Sequence, residues 1–321
     1  MVYLWQALLL ALSVWCCCKA DVGDFTPCTH FFYSGFPPKG LQGVPICQRY
    51  MNKYQFATLY SRSHRRPWFS AYVFSTPTGR RPKVEWKFEP QLANPKADGN
   101  MIPFPPGKVD QNVADSQAIQ LDYINSSYTR GHLNPSLHHQ LIQDRESTFT
   151  LTNVVPQKAE SNDGPWEGME NRVSQYLRTY CKGDAYVVTG VIPYREEKWL
   201  RNRVGIPEYL WSAYCCPSYS SNLPHRLIST FPTFAAIGRN DPNSTEEIVP
   251  IDRNKKIWGY DVRYMPLPML EMFLQQRLGV AFSVFHNQCS TPSAAKPHHK
   301  TDYISKLYGS NKISAQEFPL L

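Results

Sequence analysis

Two adjacent cysteines, Cys215 and Cys216, set the strongest limit on what this chain can fold into. Neighbouring residues cannot bridge each other without strain, so each must find a partner far along the chain. Of nine cysteines, Cys16, Cys17 and Cys18 lie in an apolar leader, which leaves Cys28, Cys47, Cys181, Cys215, Cys216 and Cys289. An even set of six predicts three disulfides, among fifteen pairings that the sequence leaves open. No Cys-x-x-Cys or Cys/His spacing points to a zinc site.

The leader, residues 1–20, holds an apolar run over 8–15 and ends in Lys19-Ala20 ahead of Asp21 and Asp24. It is predicted to be a secretory signal peptide whose positive start comes from the initiator amine alone; an uncleaved signal anchor is the alternative. The expected protein is therefore secreted. The sequons Asn125-Ser126-Ser127 and Asn243-Ser244-Thr245 suit a glycoprotein. No later segment has an apolar run of spanning length. Over residues 266–285, Glu271, Gln275, Gln276 and Arg277 interrupt at helical spacing, which predicts an amphipathic helix running into a strand.

One domain is expected over residues 21–289. Hydrophobic residues make up 42% of the chain and charged ones only 19%, enough for a core and unlike a coiled coil or a disordered polyelectrolyte. Residues 54–74 predict a hairpin with a basic turn over 62–67. Residues 77–113, rich in Pro, Gly and charge, predict a long loop of the kind that is commonly functional. Residues 165–180 repeat apolar positions at Met169, Val173, Tyr176 and Leu177 behind Pro165, a helix that Ser161, Asn162 or Asp163 could cap. A buried strand is predicted over 185–191, closed by Gly190 and Pro193, and further strands over 210–215, 234–237, 258–262 and 280–284. Residues 290–321 read as a flexible basic tail.

The chemistry concentrates between Thr129 and Glu170. Thr129-Arg130-Gly131-His132 is followed by Thr152-Asn153-Val154-Val155-Pro156-Gln157, then Asn162 nine residues past Asn153, then Trp166 and Glu170. Together these elements, in this order, resemble the DNA/RNA non-specific endonucleases of the ββα-metal (His-Me finger) group, and within it the endonuclease domain-containing 1-like secreted proteins. The resemblance covers residues 54–284. It implies an α+β fold in which a central antiparallel sheet is flanked by helices and a ββα-metal finger carries the active site.

Phosphodiester hydrolysis needs a deprotonated water, charge relief at phosphorus and a stabilised leaving 3′-oxygen. By the resemblance, His132 is the general base, and Mg²⁺, with Mn²⁺ as a possible substitute, is held by Asn162 with most of its waters retained. Glu170 would bond those waters along the same helical face, Asn153 would orient His132 or the site backbone, and Arg130 would meet the phosphate. Arg80 and Arg81 stand where the family often supplies another phosphate ligand, but the loop aligns loosely. His138 and His139 are expected at the surface, Trp166 in the core, and Trp68, Phe69, Tyr72 and Trp86 in the hairpin core rather than as base-stacking platforms.

One departure stands out: the family carries aspartate before Arg-Gly-His, and here that residue is Thr129, which brings no charge. Two readings follow. The first is an enzyme acting on DNA and RNA with little sequence preference; the second is a catalytically weak or inactive protein of the same fold that binds nucleic acid or an extracellular partner. The net charge of +8 attracts phosphate backbones in either case. The family includes dimers, so a homodimer is compatible with both.

Overall fold

The computed structural model describes residues 21–254 and 259–289; the predicted signal segment 1–20 and tail 290–321 lie outside them. The strands are β1 Val44–Tyr50, β2 Lys53–Ser61, β3 Arg66–Phe74, β4 Lys87–Phe88, β5 Ile102–Pro103, β6 Thr129–His132, β7 Val154–Gln157, β8 Ala185–Leu200, β9 Val204–Cys215, β10 Thr233–Arg239 and β11 Val262–Met265. The helices are α1 Pro90–Ala93, α2 Gln111–Ser116, α3 Gln120–Tyr123, α4 Ile142–Ser147, α5 Ala159–Asn162, α6 Pro165–Tyr180 and α7 Leu267–Leu278. The main sheet runs β1-β2-β3-β8-β9-β10-β11, with every neighbouring pair antiparallel. β6 pairs with β7 in a separate ribbon.

Side chains alternate across a strand, so one sheet feeds two cores. Ala57, Leu59, Phe69, Val188, Trp211 and Ile237 pack with Leu270 and Leu274 of α7 on one face. Phe56, Tyr72, Val187, Leu210 and Ala236 pack on the other with Trp166, Met169, Val173 and Leu177 of α6. Those four α6 positions recur at helical spacing, and burying each contributes about 1.5–3 kcal/mol. The expected α+β architecture is what the chain forms. The six cysteines pair as Cys28–Cys47, Cys181–Cys216 and Cys215–Cys289.

Local expectations change where side chains replace ladder bonds. The hairpin over 54–74 forms, and β1, broken in pattern by Pro45 and Gln48, adds to it. Helix α6 starts at Pro165 behind Gly164 with no side-chain cap, because the Ser161 hydroxyl is engaged with Arg239 O and Gln157 and because Asn162 ends α5. β8 does not stop at Pro193; the ladder shifts register around that residue, which faces Pro207, and continues to Leu200. The strand expected over 258–262 begins only at Val262, with residue 258 outside the described set. Residues 280–284 form no strand beyond one bridge from Ser283 to Lys39, since the Glu271 carboxylate takes the Val284 N–H and the Ser283 hydroxyl. No helix among the described residues is long and apolar enough to cross a membrane.

Glu89, ahead of α1, is buried, and its Oε1 faces the Thr150 and Thr152 hydroxyls. Burial, with Asp21 adding to it, pushes its carboxyl up from 4.5 to about 8. Across that window the folded chain keeps a proton that the unfolded chain gives up. Stability therefore falls as pH rises, by up to roughly 1.4 kcal/mol per pH unit for this group. Melting temperatures from about pH 5 to about pH 8.5 should fall more steeply for the parent than for Glu89→Gln; parallel curves would remove Glu89 as the cause.

Candidate active site

Antiparallel β6 and β7 run in the register Thr129↔Gln157, Arg130↔Pro156, Gly131↔Val155 and His132↔Val154, and α5 and α6 follow directly. Gly131 is dictated by close approach: a Cβ there would lie 2.1 Å from Gln157 Oε1 and 2.6 Å from Gln157 Cβ. With Gly131 turned to Gln157, Arg130 and His132 share the opposite side of the ribbon. Both meet Trp86, the Arg130 guanidinium 5.1 Å above its ring and the His132 ring 5.4 Å from it. Trp86 thus packs on Arg130 and His132 rather than in the hairpin core, whereas Phe69 and Tyr72 are buried as expected.

His132 is 8% exposed, wedged between Trp86 and Phe149, and its Nε2 is buried without a hydrogen-bond partner among the described residues. Burial, and secondarily the Arg81 guanidinium, push its pKa down to about 3, so the ring is neutral at pH 7. Arg81 lies 5.2 Å over Phe149, and Arg130 also covers Tyr123 at 5.5 Å. Among the described residues neither guanidinium is ion-paired and the buried Arg130 Nε has no partner. Of the two arginines in the loop, Arg81 is the one brought to the site, while the Arg80 carbonyl accepts from Arg145.

Asn162 ends α5, half-exposed; its Nδ2 lies 3.5 Å from Asp163 Oδ1, and its Oδ1 accepts no hydrogen bond among the described residues. α5 packs against both β6 and α6. Glu170 lies on α6, but no continuous helix relates it to Asn162, because the chain breaks at Asp163-Gly164 between α5 and α6. Desolvation, and then Glu167, push its carboxyl up to about 8, while Arg81 acts on it in the opposite sense. One guanidinium thus influences both His132 and Glu170. The Thr129 hydroxyl donates across the ribbon to Gln157 O at 2.9 Å, so it offers the site neither charge nor a free group.

Asn153 spends its whole carboxamide on the backbone and its neighbours. Oδ1 accepts from Ser70 Oγ and from the Asn134 N–H, and Nδ2 donates to Asn134 O and Thr148 O. It therefore orders the turn after His132 instead of touching the ring. His138 and His139 are not surface residues: they are 2% and 3% exposed. His138 Nε2 faces the Glu170 carbonyl at 3.0 Å, which fixes the proton on that nitrogen and leaves Nδ1 to accept from Tyr72 OH at 2.8 Å. His139 Nε2 contacts Asn134 Oδ1 at 2.6 Å. A polar pair in a proline-bounded turn gave no hydropathic sign of this burial.

Part of the basic character expected of the surface is internal. Arg66 is fully buried and pairs with the partly exposed Glu197, Arg203 pairs with Asp122, and Lys87 donates to Glu146 O. Lys158, Arg172, Arg81 and Arg130 remain around the finger, and Lys255 and Lys256 lie outside the described residues.

No group of three or more His, Cys, Asp or Glu side chains able to hold a metal occurs among the described residues. The free amide oxygen of Asn162 suits a hard cation that keeps its own waters, with Glu170 on the adjoining helix, so the donor set fits Mg²⁺ better than zinc.

A profile of the DNA/RNA non-specific endonuclease family matches residues 39–263. The mouse Endonuclease domain-containing 1 protein is 34% identical over 199 residues, 60% of this chain and 39% of that protein, and the human one is 32% identical over 203 residues. The match therefore spans about two fifths of those relatives' length. Bovine mitochondrial Endonuclease G is 33% identical over 96 residues, 30% of this chain and 31% of that protein. In a solved EndoG/EndoGI complex, a chain at 16% identity matches with a TM-score of 0.45 over 78% of this chain and 88% of its own. With the family's pattern running through the sheet, the β6–β7 ribbon and α6, the chain belongs to the DNA/RNA non-specific endonuclease family.

Proposed function

We propose that the chain is a secreted, metal-dependent endonuclease that hydrolyses DNA and RNA with little sequence preference. The observation that carries this is the neutral His132 ring between Trp86 and Phe149, beside Arg81 and Arg130, neither of which is ion-paired among the described residues. The guanidiniums bind phosphate oxygens rather than base edges, which fits a reader of backbone and not of sequence. His132, neutral and held between two aromatic rings, takes the proton of the attacking water. Negative charge brought in by the phosphate offsets Arg81 and raises the proton affinity of the ring as it is needed. The new P–O bond forms as the bond to the 3′-oxygen breaks, and that oxygen is protonated from solvent. A bound Mg²⁺, held by Asn162 with Glu170 bonding its waters, would supply Lewis-acid relief of charge on the phosphate. Three disulfides suit an oxidising compartment.

One observation favours the second reading, a binder that does not cut: the Thr129 hydroxyl is committed to Gln157 O where the family has a carboxylate. Supercoiled plasmid separates the two. The purified chain should nick it with Mg²⁺ or Mn²⁺ and not with EDTA. A folded chain that retards DNA at low salt but leaves it intact in every metal would make the protein a binder.

A further inference from the structure

A line of buried hydrogen bonds crosses three sheet strands and ends on Asn153. Its direction can be deduced from that end. Asn153 Oδ1 lies 3.0 Å from the Asn134 N–H, which can only donate, and Nδ2 lies 3.0 Å from each of two carbonyls, so the carboxamide orientation is fixed. Ser70 Oγ, 2.8 Å from Oδ1, must then give its single proton to Asn153. Thr58 Oγ1, 3.0 Å from Ser70 Oγ, must donate to Ser70, whose proton is spent. By the same step Gln48, 3.1 Å from Thr58 Oγ1, must be the donor there through Nε2. The same Nε2 also donates to Thr152 Oγ1 at 2.9 Å.

Gln48 thus sends one proton to Thr152 and the other, through two hydroxyls, to Asn153, its neighbour in the 3-10 turn Leu151–Asn153. All five residues have no exposed surface. Gln48 Oε1 is buried without a partner among the described residues, so this amide is oriented by what it donates. At the far end Asn153 takes the Leu133 N–H with its carbonyl and holds both backbone groups of Asn134, the two residues that follow His132.

We propose that Gln48, Thr58 and Ser70 are positioning residues for His132: a one-way chain of donors, anchored in β1, β2 and β3, that locks the Asn153 carboxamide and so the bend that aims the imidazole. This rests on the nuclease reading. A side chain held by a locked neighbour keeps its reactive geometry, and small losses of aim are costly in rate.

The test compares the full chain with Thr58→Val, Ser70→Ala and Thr58→Ser. Thr58→Val keeps the shape and removes the proton given to Ser70; Ser70→Ala removes the bond to Asn153; Thr58→Ser restores the donor. For the first two, kcat for plasmid nicking should fall about 10-fold or more with KM within about twofold, and Thr58→Ser should stay near the parent. An unchanged kcat in both deletions, or equal loss in Thr58→Ser and Thr58→Val, overturns the proposal. If the parent itself does not cut, the nuclease reading fails, and the donor chain is decided by NMR exchange of the Asn153 side-chain amide protons. Slow exchange in the parent and about 10-fold faster exchange in Ser70→Ala upholds the lock; equal exchange overturns it.

Discussion

Replacing His132 by alanine lowers the nicking rate by about 10²- to 10⁴-fold, the usual contribution of a positioned general base. The loss should fall on kcat at saturating metal, because the phosphate-binding guanidiniums are on other residues and rest on rings that the substitution leaves in place: Arg81 on Phe149, Arg130 on Trp86 and Tyr123. Truncation leaves a void between Trp86 and Phe149 and costs about 1–3 kcal/mol of stability, which a disulfide-bonded chain of this size tolerates. Retardation of DNA on a gel and a cooperative thermal melt should both survive. A variant that nicks at the parent rate would sink the assignment of His132.

The second large effect is on metal dependence. Asn162→Ala removes the unused amide oxygen at the end of α5. The Mg²⁺ concentration giving half-maximal nicking should rise at least about 10- to 100-fold, the scale on which losing a supporting group alone weakens metal sites. Because Asn162 is half-exposed and makes only a 3.5 Å contact to Asp163, stability should change by less than about 0.5 kcal/mol. The two variants are told apart by excess metal, which restores Asn162→Ala and leaves His132→Ala inactive. A metal titration that overlays the parent's would take Asn162 out of the site.

The sequence carries those parts of the fold that are written as period and spacing. Pro165 followed by apolar residues at helical intervals gives α6 to the residue, and alternation gives the β2–β3 hairpin. Arg-Gly-His is legible because only glycine fits against Gln157 there. Much of the site is not local. Arg81 arrives from a loop without periodicity and is held over Phe149, so the resemblance could point to Arg80 and Arg81 only loosely and could not choose between them. His138 and His139 are buried by bonds to Tyr72, the Glu170 carbonyl and Asn134, which hydropathy counts as reasons for exposure. β1 was hidden for a similar reason: its Gln48 is a buried donor on a strand that looks too polar to be internal.

The adjacent cysteines have a covalent consequence of their own. Cys181–Cys216 closes a loop with a sequence separation of 35 and Cys215–Cys289 one of 74, and the loops overlap at the single peptide between residues 215 and 216. Consecutive strand residues point to opposite faces, so one bridge ties down the C-terminal end of α6 while the other closes the core beneath α7. Topologically the two rings are fused end to end. A single proteolytic cut anywhere from residue 181 to residue 289 therefore opens a ring without releasing a fragment, and the clipped molecule stays in one covalent piece, heavier only by the water of hydrolysis, until it is reduced.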